Sequence, residues 1–428
     1  MRVMLVGSGG REHALALALH NSPSVRFLMV TPANPGISGV TRVASVAADD
    51  IPGLVSLAQL ERIDLVVVGP EVALAAGLAD ALALRGIACF GPTRAAAQLE
   101  SSKAFTKTLC EAKNIPTARF AAFDNTEAAL AHLTKVRPPY VIKADGLAAG
   151  KGVVIAQTLQ EARETIQEMA DGRFGPAGNR LVIEEFMTGE EVSFFALCDG
   201  HKAIYFGSAQ DHKRAFDGER GPNTGGMGAY SPTRHATPAF IDDIMTRFIE
   251  PTVAAMAQLG TPFCGVLYAG LMLTPTGPKL VEYNARFGDP ECQVLMARFE
   301  GDLAAILMAC ARGQIDTAPS FKLSEQTAAL VVLAAQGYPE DPITGSEIRG
   351  EAGASAIPNG VLLHAGTRRD GDGKLRSAGG RVLNAIGVGP DLASAVETAY
   401  RVVDAIVWPM GFHRRDIGWR ELHPELKA

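Results

Sequence analysis

The first hundred residues constrain this chain most, because short β-rich runs there alternate with helical patterns: RVMLV then REHALALALH, VRFLMV, DLVVVG then VALAAGLADALAL, GIACFG then RAAAQLE. Strands that read as near-continuous apolar runs are buried on both faces, and helices supply their crossovers, so the segment predicts a helix-covered parallel sheet. In such a sheet the loops after the strands gather at one edge. Three glycine-bearing loops fall there: GSGGRE at 7–12, NPG at 34–36 and GPE at 69–71. The first is a strand, a glycine turn and a helix start, which aims backbone N–H groups at an anion. It is not a dinucleotide fingerprint, since Glu12 takes the place of the third glycine and no acid ends the second strand. A nicotinamide cofactor is therefore not expected.

Beyond residue 103 the texture changes to α+β. The segment YVIKADGLAAGKGVVIA predicts paired strands over a glycine turn, and a long polar loop is expected from Asp211 to Pro232. From about 325, the strands AALVVLAA and GVLLHAGT precede a helix over 391–406, with Leu392, Val396, Ala399, Val403 and Ile406 at helical spacing. The 428 residues suffice for three lobes, divided here at 1–102, 103–324 (with a lid subdomain at about 115–190) and 325–428. A net charge of -6 gives no basic footprint for nucleic acid or an anionic membrane surface. No apolar run approaches the ~20 residues needed to span a bilayer, and the N-terminal run is too short for a signal peptide. The six cysteines stand singly, without a CxxC pair or zinc-ligand spacing, which fits free thiols in a reducing cytoplasm.

Three segments carry candidate chemistry. DGLAAGKG at 145–152 is one residue short of a Walker A loop, lacks its Ser or Thr, and precedes a strand. It reads instead as a glycine-rich lid whose N–H groups, those of Gly150 and Gly152 included, fold over phosphate oxygens, with Lys143 and Lys151 supplying charge. RLVIEEFMTGEEVSF at 180–194 is a strand running into an acid-rich connection. Its four glutamates form either a solvated face or a hinge that reads a nucleotide through backbone near Glu185 to Met187 and one carboxylate. In GVLYAGLMLTPTGPKLVEYNARFGDPE (265–291), two apolar runs flank TPTG and predict a hairpin. Spacing by two puts Glu282, Asn284 and Arg286 on one face. A carboxylate beside an amide oxygen suits magnesium, and the arginine can grip a carboxylate or phosphate with two prongs.

The series GSGGREHAL, NPG, GPE, ESSKAFTK, VIKADGLAAGKGVV, EEFMTGEE, QDHKR, GPNTGGMGAYSP, GVLYAGLM and RFGDPECQ resembles the phosphoribosylamine-glycine ligase family of the ATP-grasp superfamily, over essentially the full length. The resemblance implies an N-terminal Rossmann-like (pre-ATP-grasp) α/β domain, a central ATP-grasp domain with a glycine-rich lid, and a small C-terminal α+β domain. It implies ATP as co-substrate held by Lys103, Lys143 and Lys151, with Glu185 and Phe186 near adenine and Glu191 near ribose. Magnesium or manganese would be held by Glu282 and Asn284. The phosphoribosylamine would lie at Gly9, Gly10, Arg11, Asn34, Gly36 and Glu71, and glycine near Asp211, Lys213 and Arg286. A monofunctional, cytoplasmic, monomeric enzyme acting on small molecules in purine biosynthesis is implied, since the chain ends without room for fused activities. Two rivals share parts of this pattern: an ATP-grasp carboxylase using bicarbonate, and a non-catalytic nucleotide-binding regulatory module. The chain departs from the family pattern at Ala33, where a glycine is expected, and at Glu219, where an aspartate is expected. Residues 265–273 also contain no third metal acid.

Overall fold

The computed structural model describes residues 1–147, 152–172 and 180–423. The N-terminal rhythm yields a five-stranded parallel sheet in the order Arg42–Val43, Phe27–Thr31, Arg2–Val6, Leu65–Val68, Ala88–Phe90. The strand order reverses on either side of Arg2–Val6, so the loops after Val6, Thr31 and Val68 open into one crevice. Helix Gly10–His20 starts there.

A four-stranded antiparallel sheet occupies the segment expected to form a lid, in the order Phe120–Phe123, Leu181–Glu185, Tyr140–Ala144, Val153–Ala156. Helices Thr126–Leu133 and Leu159–Ala170 cover it around Ile142, Ile166 and Ile183. The expected hairpin is present as Cys264–Thr274 and Gly277–Asn284. It lies at the edge of a larger antiparallel sheet that continues through Glu190–Asp199, Ala203–Asp211 and Gly228–Ser231 to Thr327–Ala335, Arg381–Gly389 and Gly360–His364. The sheet therefore runs without a break from the central region into the C-terminal one, through the pairing of Gly228–Ser231 with Thr327–Ala335.

Three local expectations change. Asp211 to Pro232 is not one long loop: it holds a small hairpin, Arg214–Phe216 with Arg220–Asn223, and the sheet strand Gly228–Ser231. Glycines and charges masked these strands, whose partners lie far away in sequence. The acid-rich connection becomes strand again from Glu190. The C-terminal helix is Leu392–Asp404, and its buried stripe is Leu392, Ala395, Ala399, Val402 and Val403, with Ile406 past its end. One apolar core, including helix Leu303–Ala311, joins the parallel sheet to the large sheet. All six cysteines are free, and no helix among the described residues is long and apolar enough to cross a membrane.

Two buried histidines tie distant parts together. His13 Nδ1 accepts the His364 N–H at 2.9 Å, and His212 Nε2 accepts the Gly418 N–H at 2.9 Å. Burial lowers both from 6.5 to about 4; the like charge of His364 adds to the shift at His13, while Glu219 partly opposes it at His212. Between those values the unfolded chain binds protons that the folded chain does not. Stability is then full above pH 6.5 and falls as pH drops toward 4, by up to about 1.4 kcal/mol per pH unit for each histidine. Urea unfolding at a series of pH values should show this slope, and His13→Gln should flatten it.

Candidate active site

Glu282 lies at the centre of the site, on the hairpin strand opposite Gly270. Burial raises its carboxyl, but Lys143, Lys213, Lys103 and Arg286 outweigh this and hold it below the usual carboxylate range. Among the described residues no side chain hydrogen-bonds it directly, so an ionised carboxylate keeps its acceptor capacity inside a ring of cations. Asn284, on the same strand, is also buried and places Oδ1 3.3 Å from Arg286 Nη2.

Each cation in the ring has its own support. Lys143 extends from the lid strand to Glu184 Oε1 at 2.9 Å, and Lys107 takes the other oxygen of Glu184 at 2.9 Å. Lys107 also donates to Thr117 Oγ1 at 2.7 Å, and Thr117 donates to the Leu280 carbonyl at 2.7 Å. This buried chain of ion pairs and hydrogen bonds knits the sheet of Lys143 and Glu184 to the strand of Glu282. Lys103 opens helix Lys103–Ala112 and reaches the Gly146 carbonyl at 3.1 Å. Burial lowers the pKa of Lys103, and Glu282 acts against that shift.

Arg286 joins the hairpin to the N-terminal region. Its Nε meets Glu71 at 3.0 Å, its Nη2 meets Glu100 at 2.9 Å, and its Nη1 donates to the Phe287 carbonyl at 3.2 Å. Arg11 donates to the same carbonyl at 3.1 Å while its Nε holds Glu12 at 2.6 Å. Glu12, which displaced the dinucleotide glycine, accepts the Gly9 N–H at 2.7 Å and so shapes the loop from within. Asn34 is committed to structure: its amide donates to the Ser8 and His364 carbonyls, both at 2.8 Å, and its oxygen caps Ile37. A Cβ on Gly36 would lie 2.2 Å from His13 Cε1.

A Cβ on Gly10 would lie 1.9 Å from Asn384 Nδ2 and 2.9 Å from Gln293 Nε2. Asn384 is buried, so Gly10→Ala must displace its amide. The expected result is a loss of stability of about 1–3 kcal/mol, the scale on which overfilling a packed interior acts. Urea unfolding of the variant checks this.

The four glutamates of 184–191 do not form a solvated face. Glu184 holds the two lysines; Glu185 pairs with Arg119 at 2.8 Å and Lys279 at 3.1 Å. Burial raises the Glu185 carboxyl, but the Arg119 and Lys279 bonds prevail and bring it to about 2. Glu190 accepts from Arg234 on both oxygens at 2.7 Å and also lies 3.1 Å from His235 Nε2, and Glu191 pairs with Lys213. Phe186 beside Glu185 is 41% exposed, unusual for so large an apolar side chain. Burial raises the Asp211 carboxyl to about 7, with Lys213 opposing and Glu291 and Glu191 adding. Gly152 is buried and its carbonyl accepts the Ala144 N–H at 2.8 Å. Gly150 and Lys151 lie outside the described residues.

The geometry adds residues that the sequence did not single out. Glu100, Lys107 and Asp145 lack any motif that marks them as a group. Asp145 accepts from the Ala104 N–H at 3.1 Å and Ser102 Oγ at 3.2 Å, organising the start of the Lys103 helix. Glu291 accepts from Tyr268 at 2.8 Å and Ser193 at 3.0 Å. Arg381 crosses from the C-terminal region to the Gly225 and Asp289 carbonyls at 2.7 and 2.6 Å. The runs ESSKAFTK, DGLAAGKG and RFGDPE held Glu100, Lys107, Asp145, Asp289 and Glu291 in view without giving any of them a role.

The chain is similar to known proteins over nearly its whole length. Models described as the N domain, the ATP-grasp (A) domain and the C domain of phosphoribosylglycinamide synthetase match residues 1–100, 101–292 and 328–420. A phosphoribosylamine-glycine ligase of Caulobacter vibrioides is 55% identical over 422 residues, covering 99% of each chain. That of Phenylobacterium zucineum is 53% identical, covering 99% of this chain and all of its own. The crystal structure of the Thermotoga maritima phosphoribosylamine-glycine ligase superposes with a TM-score of 0.84 at 32% identity, covering 97% of this chain and 100% of that one. A Campylobacter jejuni biotin carboxylase shares the fold alone, at a TM-score of 0.71 and 13% identity.

Proposed function

Because the chain belongs to the phosphoribosylglycinamide synthetase family of ATP-grasp ligases, we infer from its geometry how its residues divide the work of joining glycine to 5-phosphoribosylamine in purine biosynthesis. The ring of Lys143, Lys213, Lys103 and Arg286 around Glu282 is the observation that carries the assignment. Phosphoryl transfer needs positioning and charge neutralisation more than covalent participation, and this ring supplies both. Lys103 and Lys143, with Lys151 and the backbone of Gly150 and Gly152, hold the ATP phosphates. The exposed Phe186 and the adjoining Glu185 take the adenine, and Glu191 the ribose.

Oxygen donors of Glu282 and Asn284 fit a hard divalent cation. ATP-grasp enzymes use such ions generally, and we assign magnesium or manganese to these two residues. When bound, the ion neutralises phosphate charge. Asp211, Lys213 and Arg286 hold glycine so that its carboxylate oxygen attacks the γ-phosphorus, breaking the bond to ADP and forming glycyl phosphate. The phosphoribosylamine, against Gly9, Gly10, Arg11, Asn34, Gly36 and Glu71, then attacks the glycyl carbonyl through its amine. Phosphate departs, the amine loses a proton, and the amide of glycinamide ribonucleotide remains. The reading extends to a cytoplasmic monomer, and sedimentation of the purified chain tests the oligomeric state.

ADP release, followed with glycine, bicarbonate and other amino acids, with and without phosphoribosylamine, tests the assignment. Release requiring glycine supports it. Release that depends on bicarbonate would overturn it in favour of a carboxylase, the chemistry named for distant structures of this fold, and no release at all would favour a regulatory module.

A further inference from the structure

The C-terminal segment 414–420 closes on the hairpin that follows Asp211 and Lys213. Arg414 is 0% exposed, and every prong of its guanidinium is used. Nε meets Asp416 Oδ1 at 2.7 Å, Nη2 meets Glu219 at 2.6 Å and Asp416 Oδ2 at 2.8 Å, and Nη1 donates to the Arg214 carbonyl at 3.1 Å. Glu219 gathers a second guanidinium, Arg420 at 2.8 Å, and the Trp419 indole N–H at 3.3 Å. The backbone joins in, with Gly218 N–H donating to Asp416 at 2.9 Å and Arg415 N–H to Asp217 at 2.8 Å. Glu219 adopts a φ of 56°, left-handed backbone that few non-glycine residues adopt without local support. It is also the position where the family pattern leads one to expect the shorter aspartate.

His212 links this knot to the site. Its ring is wholly buried and anchored by the Gly418 N–H, with Glu219 Oε1 3.6 Å from Nδ1. Its backbone is held as well: His212 N–H donates to the Gly228 carbonyl at 2.9 Å, and Met227 N–H donates to the His212 carbonyl at 2.7 Å. Next to it, the Lys213 carbonyl accepts from Thr224 N–H at 2.7 Å and Thr224 Oγ1 at 2.8 Å. The ring of His212 is held in the C-terminal knot, whereas the ammonium of the adjoining Lys213 meets Glu191, and both of those charges act on the Asp211 carboxyl.

We propose that Glu219 and Arg414 are positioning residues for glycine use: the C-terminal segment, acting through His212, holds Asp211 and Lys213 in the register that turns them into the site. The inference rests on the reading that those two residues serve glycine, and it gives the C-terminal strap a role in the reaction.

The test uses the full chain and coupled ADP release, titrating glycine, ATP and phosphoribosylamine in turn alongside thermal melting. Glu219→Gln keeps the shape but removes the charge, and should raise the glycine KM roughly tenfold with the ATP KM within about twofold. Glu219→Asp restores the charge and should bring the glycine KM back to within about threefold of the parent. Arg414→Lys, which cannot hold Glu219 and Asp416 together, should repeat the Glu219→Gln pattern. If Glu219→Gln does not fold, the other two variants decide. Lower melting temperatures with an unmoved glycine KM, or equal rises for all three substrates, overturn the proposal. Lys213→Ala separates the two levels: an unmoved glycine KM there defeats the underlying reading of Lys213.

Discussion

Glu282→Gln should lower ADP release by roughly 10²–10³-fold, the scale on which losing a preorganised electrostatic group acts. The substitution keeps the size of the side chain and its place on the strand but removes the anion. Two consequences distinguish it from simple damage. Activity should recover in part at high magnesium or manganese, because Asn284 and the substrate phosphates still offer oxygen donors. The alkaline limb should also move to lower pH. Burial already lowers the pKa of Lys103, and Glu282 is the charge that most strongly opposes the shift. Without it, the protonated lysine that phosphate requires is lost earlier as pH rises. Metal titrations and a pH profile of the variant check both effects, and a profile that coincides with the parent would show that Glu282 and Lys103 are uncoupled.

Arg286 should give the other large effect. In Arg286→Lys one compact ammonium replaces a fork that holds Glu71 and Glu100 at once, so only one of the two carboxylates keeps its partner. Glycine and phosphoribosylamine KM values should rise together, by about tenfold or more, since the fork ties the hairpin to the Glu71 loop. The ATP KM should stay near its parent value. Arg286→Met goes further. Burial already raises the Glu100 carboxyl, with Arg286 the foremost opposing charge, so its loss raises that carboxyl further. Removing one partner of a buried ion pair typically destabilises by about 3–5 kcal/mol; the figure here should fall toward the lower end because Glu71 is partly exposed. Urea unfolding of both variants, beside substrate titrations, separates the lost grip from the lost stability.

What could be read from the chain alone follows from the range of the interactions concerned. The parallel sheet, the antiparallel pairing of Tyr140–Ala144 with Val153–Ala156, and the Glu282 hairpin are local patterns, set by period, turn residues and apolar runs a few residues long. The same locality brought Glu282, Asn284 and Arg286 into view, because a strand's alternation reaches two residues at a time. Nothing local distinguishes a glutamate in a buried ion pair from one in solvent, so Glu184, holding Lys107 and Lys143, looked no different from Glu185 beside it. Lys107 and Glu184 stand 77 positions apart, Arg286 and Glu71 215, Arg414 and Glu219 195. The strand Gly228–Ser231 was hidden for the same reason, since its partner Thr327–Ala335 lies about a hundred residues on. The sequence by itself determined the N-terminal parallel sheet with its glycine loops, the Glu282 hairpin and the family. Only the tertiary structure decided which charges meet, because charge pairing at such separations depends on which surfaces the folded core presses together, and those choices leave no periodic trace in the chain.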